Sequence, residues 1–338
     1  MGFSVHIEPG VRIPAASHRV PTLSGTRATG SPTPATMSPA QSSKQLDAAR
    51  LRDALEAITT LHHATFVPAE KPLAPPPAPV DAGAIRRECT AEALSGVGLF
   101  DRAGRKAAKT KASSDAETRI LREVSARRLQ AFDRQAELDQ SWSQLLANDP
   151  DAVLDRLATK LEDAVAQATP LSASAGEAAI LVILPGEEAV PERRPTTTSV
   201  GNVSLRKMSK KDHDAFYTAL VTGHTLLTVK AAFAAAPALE SVRVVAVRRA
   251  RKVMHGGQAA ELLLAAHVRH AALASVRWTS EDAPTILSDI ADELLIRQKG
   301  IAKTLTALDL TSEPDLERVI DSIDFDGTRS PAENLTIR

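Results

Sequence analysis

Apolar residues recur at helical spacing through much of the first half of the chain. Over 45–66 the large apolar side chains follow an approximate 3.6-residue period, which predicts a first helix. These positions are Leu46, Leu51, Leu55, Ile58 and Leu61. A longer stretch, about 101–146, contains no proline and, after Gly104, no glycine, so it is expected to form one uninterrupted helix.

The long stretch also carries a weak heptad pattern. Its a and d positions are occupied by Leu121, Val124, Ala131, Leu138, Trp142 and Leu145, with Arg128 and Gln135 at the same seam. Such a seam is typical of a coiled coil and would make the chain a homodimer. The same stripe would also be buried if the long helix folded back onto helix 45–66 as a hairpin. The sequence leaves these two arrangements open.

Between these helices, the segment 67–80 is rich in proline and predicts an extended chain. Its prolines are Pro68, Pro72, Pro75, Pro76, Pro77 and Pro79. Proline fixes φ and removes a backbone donor, so the segment is expected to be a stiff polyproline linker rather than a helix. The alternative is a docking site for an SH3-like or WW-like partner. A short helix is expected next, around 81–94.

From residue 149 the apolar pattern indicates a different architecture. Asp149 and Pro150 mark a helix start, and the continuous apolar run at 178–184 predicts a buried central strand. In chain order the predicted elements are a helix over 150–166, a strand over 178–184, a helix over 210–235, strands over 242–247 and 261–267, and helices over 283–297 and 314–323. This order suffices for one small mixed sheet with helices packed on it.

Together these patterns predict an α+β protein in which a long helical arm precedes a small mixed-sheet α/β domain. The expected divisions are a disordered segment or degenerate β module over 1–44, the helical arm over 45–148, the α/β domain over 149–326 and a disordered tail over 327–338. Residues 1–44 are too poor in large apolar side chains to offset the conformational entropy of the chain.

Composition indicates which residues form the core and in which cellular compartment the protein is expected. Hydrophobic residues make up 43% of the chain but aromatic residues only 3%, so the core must rest on Leu, Val and Ile. The single cysteine, Cys89, cannot form an internal disulfide and is expected to be an inert thiol in a reducing cytoplasm. The chain shows no signal-peptide pattern and no apolar run near the length of a membrane span, so no membrane partner is expected.

Charge is balanced over the whole chain, with 41 basic and 41 acidic residues, but it is uneven along the C-terminal half. From residue 192 to 270 there are 13 cations and 5 carboxylates, whereas from 271 onward there are 7 cations and 13 carboxylates. Cations in predicted loops suit phosphate contacts; the alternative is a solvated face that the acidic C-terminal stretch neutralises. The candidate anion-binding residues are Arg193, Arg194, Arg206, Lys207, Lys210 and Lys211, and the candidate basic turn consists of Arg248, Arg249, Arg251 and Lys252.

Few residues suggest catalysis. Motifs for phosphate-binding loops, dinucleotide binding, serine nucleophiles and zinc sites are absent, so no cofactor or metal is expected. The remaining candidates are His224 and Glu261. His224 lies within a predicted helix, where a partly buried, hydrogen-bonded histidine is the plainer interpretation. Glu261 begins a strand in a nuclease-like order of elements, but Leu263 stands where such a core needs lysine.

Several short motifs carry a resemblance to a known group of proteins. They are Pro191–Thr198, Gly201–Lys207, Phe216-Tyr217, Gly223-His224 and Ala232–Pro237, with Met1–Phe3 and Pro9–Arg12 at the N-terminus. In these motifs the chain resembles an uncharacterised family from high-GC Gram-positive bacteria, which pairs an N-terminal domain of unknown function with a helical middle and a C-terminal α/β region. The resemblance covers most of 45–320, without the Gly-rich β repeats of the N-terminal module. It implies no established activity, substrate or cofactor.

These observations favour a non-enzymatic interaction or scaffold protein. The helical arm is expected to mediate self-association or to bind a protein partner. The long polar loop over 191–211, which precedes a helix N-terminus, is expected to hold an anion. The alternative is a nucleic-acid-binding protein that uses the basic face of the C-terminal domain. A hydrolase or nuclease without a recognisable motif is the third interpretation.

Overall fold

The structure is a computed structural model that describes residues 39–162, 167–197, 203–250, 260–311 and 313–321. Predictions for the chain before residue 39 and for the tail after residue 321 lie outside the described residues, as do Arg251 and Lys252. The chain divides into two compact units. The helical unit is Glu70–Gln144, and the sheet unit combines the chain up to Ala69 with the chain from Leu145 onward.

Helices and strands are both well represented among the described residues. The α-helices, in chain order, are α1 (Pro39–Thr60), α2 (Ala82–Ser95), α3 (Arg102–Leu146), α4 (Pro150–Glu162), α5 (Lys210–Ala235), α6 (Ala283–Ile290) and α7 (Pro314–Asp321). The strands are β1 (Gln167–Ser174), β2 (Glu177–Leu184), β3 (Arg193–Thr197), β4 (Val203–Lys207), β5 (Ser241–Arg249), β6 (Ala260–Arg269), β7 (Ala291–Ile296), β8 (Gln298–Lys299) and β9 (Thr304–Leu305). The α+β class predicted from the sequence is confirmed.

A five-stranded mixed sheet forms the centre of the sheet unit. Its strand order is β1-β2-β5-β6-β7, with β2 and β5 parallel and the other neighbouring pairs antiparallel. Parallel strands need a crossover connection, which the β3–β4 hairpin and α5 provide here. Strand β2 is buried from Ala178 to Leu184 because it lies inside a sheet that is covered on both faces, as its continuous apolar run predicts.

Helices cover both faces of this sheet. On one face α5 contacts β2 and β5, and α1, α4 and α6 pack around α5. On the other face, alternate residues of β2 and β5, including Leu181 and Val245, form an apolar cluster with Leu310, Leu316 and Val319 from the α7 region. Because other elements enclose α5, it is apolar on nearly all sides.

The first helix belongs to the sheet unit, which corrects its assignment to the helical arm. Its apolar residues Ala48, Leu55 and Ile58 are buried, and α1 packs against α5, β3 and β4. The chain after α1 approaches α5 closely at Gly223, where a Cβ would lie 3.1 Å from Leu61 Cβ and would require a small shift of that side chain. The apolar face of α1, which could have packed against the long helix to form a hairpin, is therefore buried within the sheet unit instead.

In the helical unit, the proline-rich segment lies extended along α3. Gln135 Oε1 accepts a hydrogen bond from Ala74 N at 2.9 Å. Arg127 donates to the carbonyl oxygens of Ala78 and Pro79 at 3.0 and 2.9 Å. The segment forms neither helix nor strand, as predicted. Its backbone acceptors are therefore partly occupied by side chains from the half-buried face of α3.

Helix α2 packs on α3 through a small apolar contact. Its centre is formed by Cys89, Ala112 and Ala116, all of them buried. The Cys89 thiol thus has a packing role. The structure does not show a coiled coil, which was one of the two arrangements that the sequence left open. None of the helices described is both long and apolar enough to cross a membrane.

Several strands depart from the predicted elements. Strand β1 and the β3–β4 hairpin lie where the sequence pattern predicts helix end or loop. The helix predicted over 283–297 ends at Ile290, and the chain continues as β7, which pairs with β6. In β1 only Leu171 is a large apolar residue, so the alternation that marks a strand is weak there.

Candidate anion-binding surface

The six candidate anion-binding residues lie on two adjoining elements, the β3–β4 hairpin and the first turn of α5. The hairpin is antiparallel, and its register places Arg193 opposite Lys207 and Arg194 opposite Arg206. Neighbouring residues of a strand point to opposite faces, so each face of the hairpin carries one like-charge pair. We call these four residues the cationic hairpin.

The base of the hairpin is fixed to the rest of the sheet unit. Met208 N donates a hydrogen bond to Glu192 O at 2.8 Å, which joins the ends of strands β3 and β4 next to the pair Arg193 and Lys207. Pro195 is tolerated because β3 belongs to a two-stranded sheet, where it faces Leu205. Helix α1 packs against both strands. The cations therefore project from a supported element rather than from the predicted loop.

The first turn of α5 continues the cationic surface. Ser209 is the N-cap, and its hydroxyl accepts a hydrogen bond from Asp212 N at 3.1 Å. Lys210 and Lys211 follow, and both are exposed. They lie at the positive end of a 26-residue helix, so the surface combines side-chain and backbone charge of one sign.

Among the residues that the structure describes, one ion pair engages this surface. Arg194 Nη1 lies 3.5 Å from Asp212 Oδ2, and the two side chains are 49% and 36% exposed. An exposed pair of this kind contributes only about 0–1 kcal/mol to stability. For the other five candidates, no described carboxylate lies within the 4.0 Å of an ion pair.

A cavity opens beside the start of α5. It has a volume of about 820 Å³, and its lining includes Lys211, Phe216, Thr222 and Lys303. Phe216 also lines a smaller cavity of about 350 Å³, whose wall includes Arg194. The cationic surface thus borders concave surface that offers room for the body of a ligand.

Arg248 is held inside the fold, which corrects its assignment to an exposed basic turn. Its guanidinium lies 3.0 Å from Glu187 Oε1 and 2.8 Å from Glu261 Oε2, and the side chain is buried. Burial lowers the pKa of Arg248, but hydrogen bonds with Glu261, Tyr217 and Glu187 outweigh it and hold that pKa above its usual value. Arg249 ends β5 at an exposed position and has an interaction of its own.

Glu261 is the other half of this network, and its carboxylate balances the Arg248 guanidinium. The arrangement gives Glu261 a structural partner in place of the metal that a nuclease core would need. Within 39–321, apart from the short gaps in the description, no three His, Cys, Asp or Glu side chains lie together so that they could hold a metal ion.

A second network of charges crosses the sheet and was missed by sequence reasoning. Arg243 of β5 lies 2.7 Å from Glu177 Oε1 of β2 and 3.0 Å from Glu293 Oε2 of β7. Arg269 of β6 lies 2.7 Å from Asp292 Oδ2 of β7. Asp292 and Glu293 belong to the acidic C-terminal stretch, which therefore neutralises part of the basic segment. These charged residues are spread over four strands, and no local sequence pattern indicates which of them pair.

His224 is buried within α5, and its surroundings correct the expectation of a hydrogen-bonded ring. The side chain is 5% exposed, and Nδ1 has no hydrogen-bond partner among the described residues. Burial lowers the pKa of His224 to about 4. The ring is therefore neutral at pH 7, and it is not paired with a carboxylate as a general base would be.

Lys230, on the same helix, is a second partly buried group that the sequence does not single out. Its Nζ donates to His62 O at 2.9 Å and lies 4.0 Å from the centroid of the Trp278 ring. Burial lowers the pKa of Lys230. His62 and Trp278 are both far from Lys230 in the sequence, so no local pattern predicts this contact. The hydrogen bond connects the segment that follows α1 to α5.

Comparison with known proteins leaves the site to be interpreted from its own geometry. The resemblance to a family of high-GC Gram-positive bacteria stays a prediction. No protein-family model, no curated protein and no solved structure matches the chain.

Proposed function

We propose that this protein is a non-enzymatic interaction protein whose sheet unit binds a phosphate-bearing ligand on the cationic hairpin and the first turn of α5. The observation that carries the proposal is the register of β3 and β4, which sets cation against cation at two successive positions. Like charges directly opposite one another destabilise a strand pair. A hairpin with four such cations is better suited to an anionic ligand than to stability.

The residue types at this surface suit phosphate groups. Arginine presents a planar fork that binds two phosphate oxygens at once, and lysine supplies a compact point charge. The free backbone N–H groups at the start of α5 favour the same kind of ligand. Because each face of the hairpin carries a pair of cations, the surface fits a ligand with several phosphates, such as a nucleic-acid strand, better than a single phosphate ion.

The residues that the sequence offered for catalysis serve the fold in other ways. His224 is a buried neutral ring, and Glu261 is bound to Arg248. The proposal therefore assigns them no chemistry. On α3, large apolar side chains remain exposed, among them Leu121, Leu129 and Phe132, and they support the interaction or scaffold part of the proposal.

The test measures binding of the full-length protein to fluorescent probes by anisotropy at two salt concentrations. The probes are a short single-stranded DNA, the corresponding duplex and a linear polyphosphate. In a variant that combines Arg193→Ala, Arg194→Ala, Arg206→Ala and Lys207→Ala, we expect affinity for at least one probe to fall about tenfold or more. Its melting temperature is expected to stay close to that of the parent, because the four side chains are exposed.

A matched control removes the same charge from the helical unit. It combines Arg86→Ala, Arg87→Ala, Arg122→Ala and Arg128→Ala, all at exposed positions. This control is expected to bind the probes almost as the parent does. Unchanged binding in the hairpin variant, or an equal loss in both variants, would refute the site. A loss confined to the DNA probes identifies nucleic acid as the ligand, and a loss for polyphosphate alone identifies a smaller polyanion.

A further inference from the structure

The turn between α2 and α3 presents two large apolar side chains to solvent. Leu99 is 81% exposed and Phe100 is 98% exposed. Just before them, Gly96 and Gly98 have nothing within 4 Å of the Cβ position, so this turn extends into open space. Exposed apolar residues scattered singly are ordinary, but two adjacent ones at the tip of a helical hairpin form an apolar point of contact.

The first turns of α3 are basic and free of carboxylates. Between residues 102 and 114 there are five cations and no acidic residue. Four of them, Arg102, Arg105, Lys106 and Lys109, follow the i, i+3, i+4, i+7 spacing and share one face of the helix. For none of these four does a described carboxylate lie within ion-pair distance. We call these four residues the basic stripe.

Two members of the basic stripe, Arg102 and Arg105, oppose the electrostatics of their own helix. A helix N-terminus carries positive partial charge and favours acidic residues in its first turn. The first turn of α3 has none, and only the N-cap Asp101, which accepts a hydrogen bond from Gly104 N at 2.9 Å, contributes a negative charge. Two of the four cations, Arg102 and Arg105, therefore lie where the helix dipole disfavours them, and the whole stripe adjoins two exposed apolar residues. This combination indicates a requirement that comes from a binding partner rather than from the fold.

The expectation of no membrane partner came from the lack of membrane-spanning segments in the sequence, which does not test peripheral contact. We propose that this end of the helical unit docks peripherally on an anionic lipid bilayer. Leu99 and Phe100 would enter the boundary between headgroups and acyl chains, and the basic stripe would contact the lipid phosphates. An anionic bilayer favours both kinds of group at once, because apolar side chains partition into the interface and cations gain from the negative surface potential. A nucleic acid would use the cations and stack on Phe100, but it would leave Leu99 without a role.

The test is co-sedimentation of the full-length protein with vesicles. One set contains phosphatidylcholine alone, and the other contains phosphatidylcholine mixed with phosphatidylglycerol. Binding is expected for the anionic vesicles and is expected to weaken as salt is raised. We expect the pair Leu99→Asp and Phe100→Asp, and separately the set Arg102→Ala, Arg105→Ala, Lys106→Ala and Lys109→Ala, to reduce the partition coefficient about tenfold or more.

Matched controls separate this contact from general stickiness and from the cationic hairpin. The pair Leu129→Asp and Phe132→Asp places the same two substitutions on exposed positions of α3 away from the tip, and should leave vesicle binding intact. The hairpin variant described above should also bind vesicles normally, so the two proposals can fail separately. No binding to anionic vesicles, or equal losses in the tip variant and its control, would overturn the proposal. So would a tip variant that loses single-stranded DNA but not vesicles.

Discussion

His224 couples the stability of the sheet unit to pH. Its ring is buried, and burial holds its pKa at about 4, below the ordinary value of 6.5. Between these two values the unfolded chain binds a proton that the folded chain does not. The free energy of unfolding therefore contains a contribution that is present above pH 6.5 and is lost as the pH falls toward 4.

Replacement of this ring by an apolar side chain of similar size should remove the coupling. From neutral pH to pH 4 the parent is expected to lose about 3 kcal/mol through His224, and His224→Leu should lack that part of the loss. At neutral pH the variant should be at least comparable in stability, because the unpartnered Nδ1 is gone. Urea unfolding at several pH values measures both effects.

The control for this prediction is His213→Leu, at a half-buried position in the first turns of α5. It should keep the parent's pH dependence between neutral pH and pH 4. If His224→Leu loses stability over that range as steeply as the parent does, the pH coupling comes from other groups.

Arginines of the basic segment show what sequence can and cannot predict about single residues. Arg206 and Arg248 are the same residue type in similar basic clusters, and both are candidates on equal terms. Arg206 is exposed on the hairpin, whereas Arg248 is enclosed by Glu187 and Glu261. The difference depends on carboxylates that the fold brings in from other elements, and local sequence contains no record of them.

At the scale of elements, strong apolar periodicity predicted the type and position of helices and strands correctly, whereas weak periodicity did not. Helices α4 and α5 and strands β2, β5 and β6 lie close to their predicted positions, since each carries several large apolar residues in a regular pattern. Strand β7 continues a helical pattern through Leu294, and only pairing with β6 makes it a strand. The β3–β4 hairpin is polar and cationic and packs against α1, a contact that a local pattern does not reveal.

The β3–β4 hairpin should become more stable when one cation is reversed. Arg206→Glu places a carboxylate opposite Arg194 and converts a like-charge pair into an opposite-charge pair. We expect the free energy of unfolding to rise by about 0.2–1 kcal/mol, while affinity for the phosphate probes falls. Urea unfolding and anisotropy on the same preparation measure the two effects together.

The control for the hairpin prediction is Arg86→Glu, at an exposed position on α2. It should change the free energy of unfolding by less than about 0.5 kcal/mol and leave probe binding almost unchanged. A less stable Arg206→Glu variant would mean that Arg206 stabilises the hairpin, and it would remove the main argument for a binding role.

At the scale of the whole molecule, the sequence predicted a long helix and a mixed-sheet domain, but it assigned the first helix to the wrong one of the two units. A long helix and a mixed-sheet body are both present, but α1 packs in the sheet unit. The sequence showed an apolar stripe on helix 45–66 without showing its partner, and α5 and α3 were both apolar enough to be that partner. Helix α1 packs on α5, and Leu61 lies close to Gly223 there, a contact that only the fold defines.

The two compact units should respond separately to a change inside one of them. The chain has two tryptophans, Trp142 in the helical unit and Trp278 in the sheet unit, so Trp278→Phe and Trp142→Phe each leave one fluorescent reporter. Arg248→Ala removes the cation that the Glu261 carboxylate binds inside the fold and should lower the stability of the sheet unit by about 3 kcal/mol. The urea midpoint reported by Trp278 should therefore fall, while the midpoint reported by Trp142 stays in place; a joint fall of both midpoints would show one cooperative body instead of two.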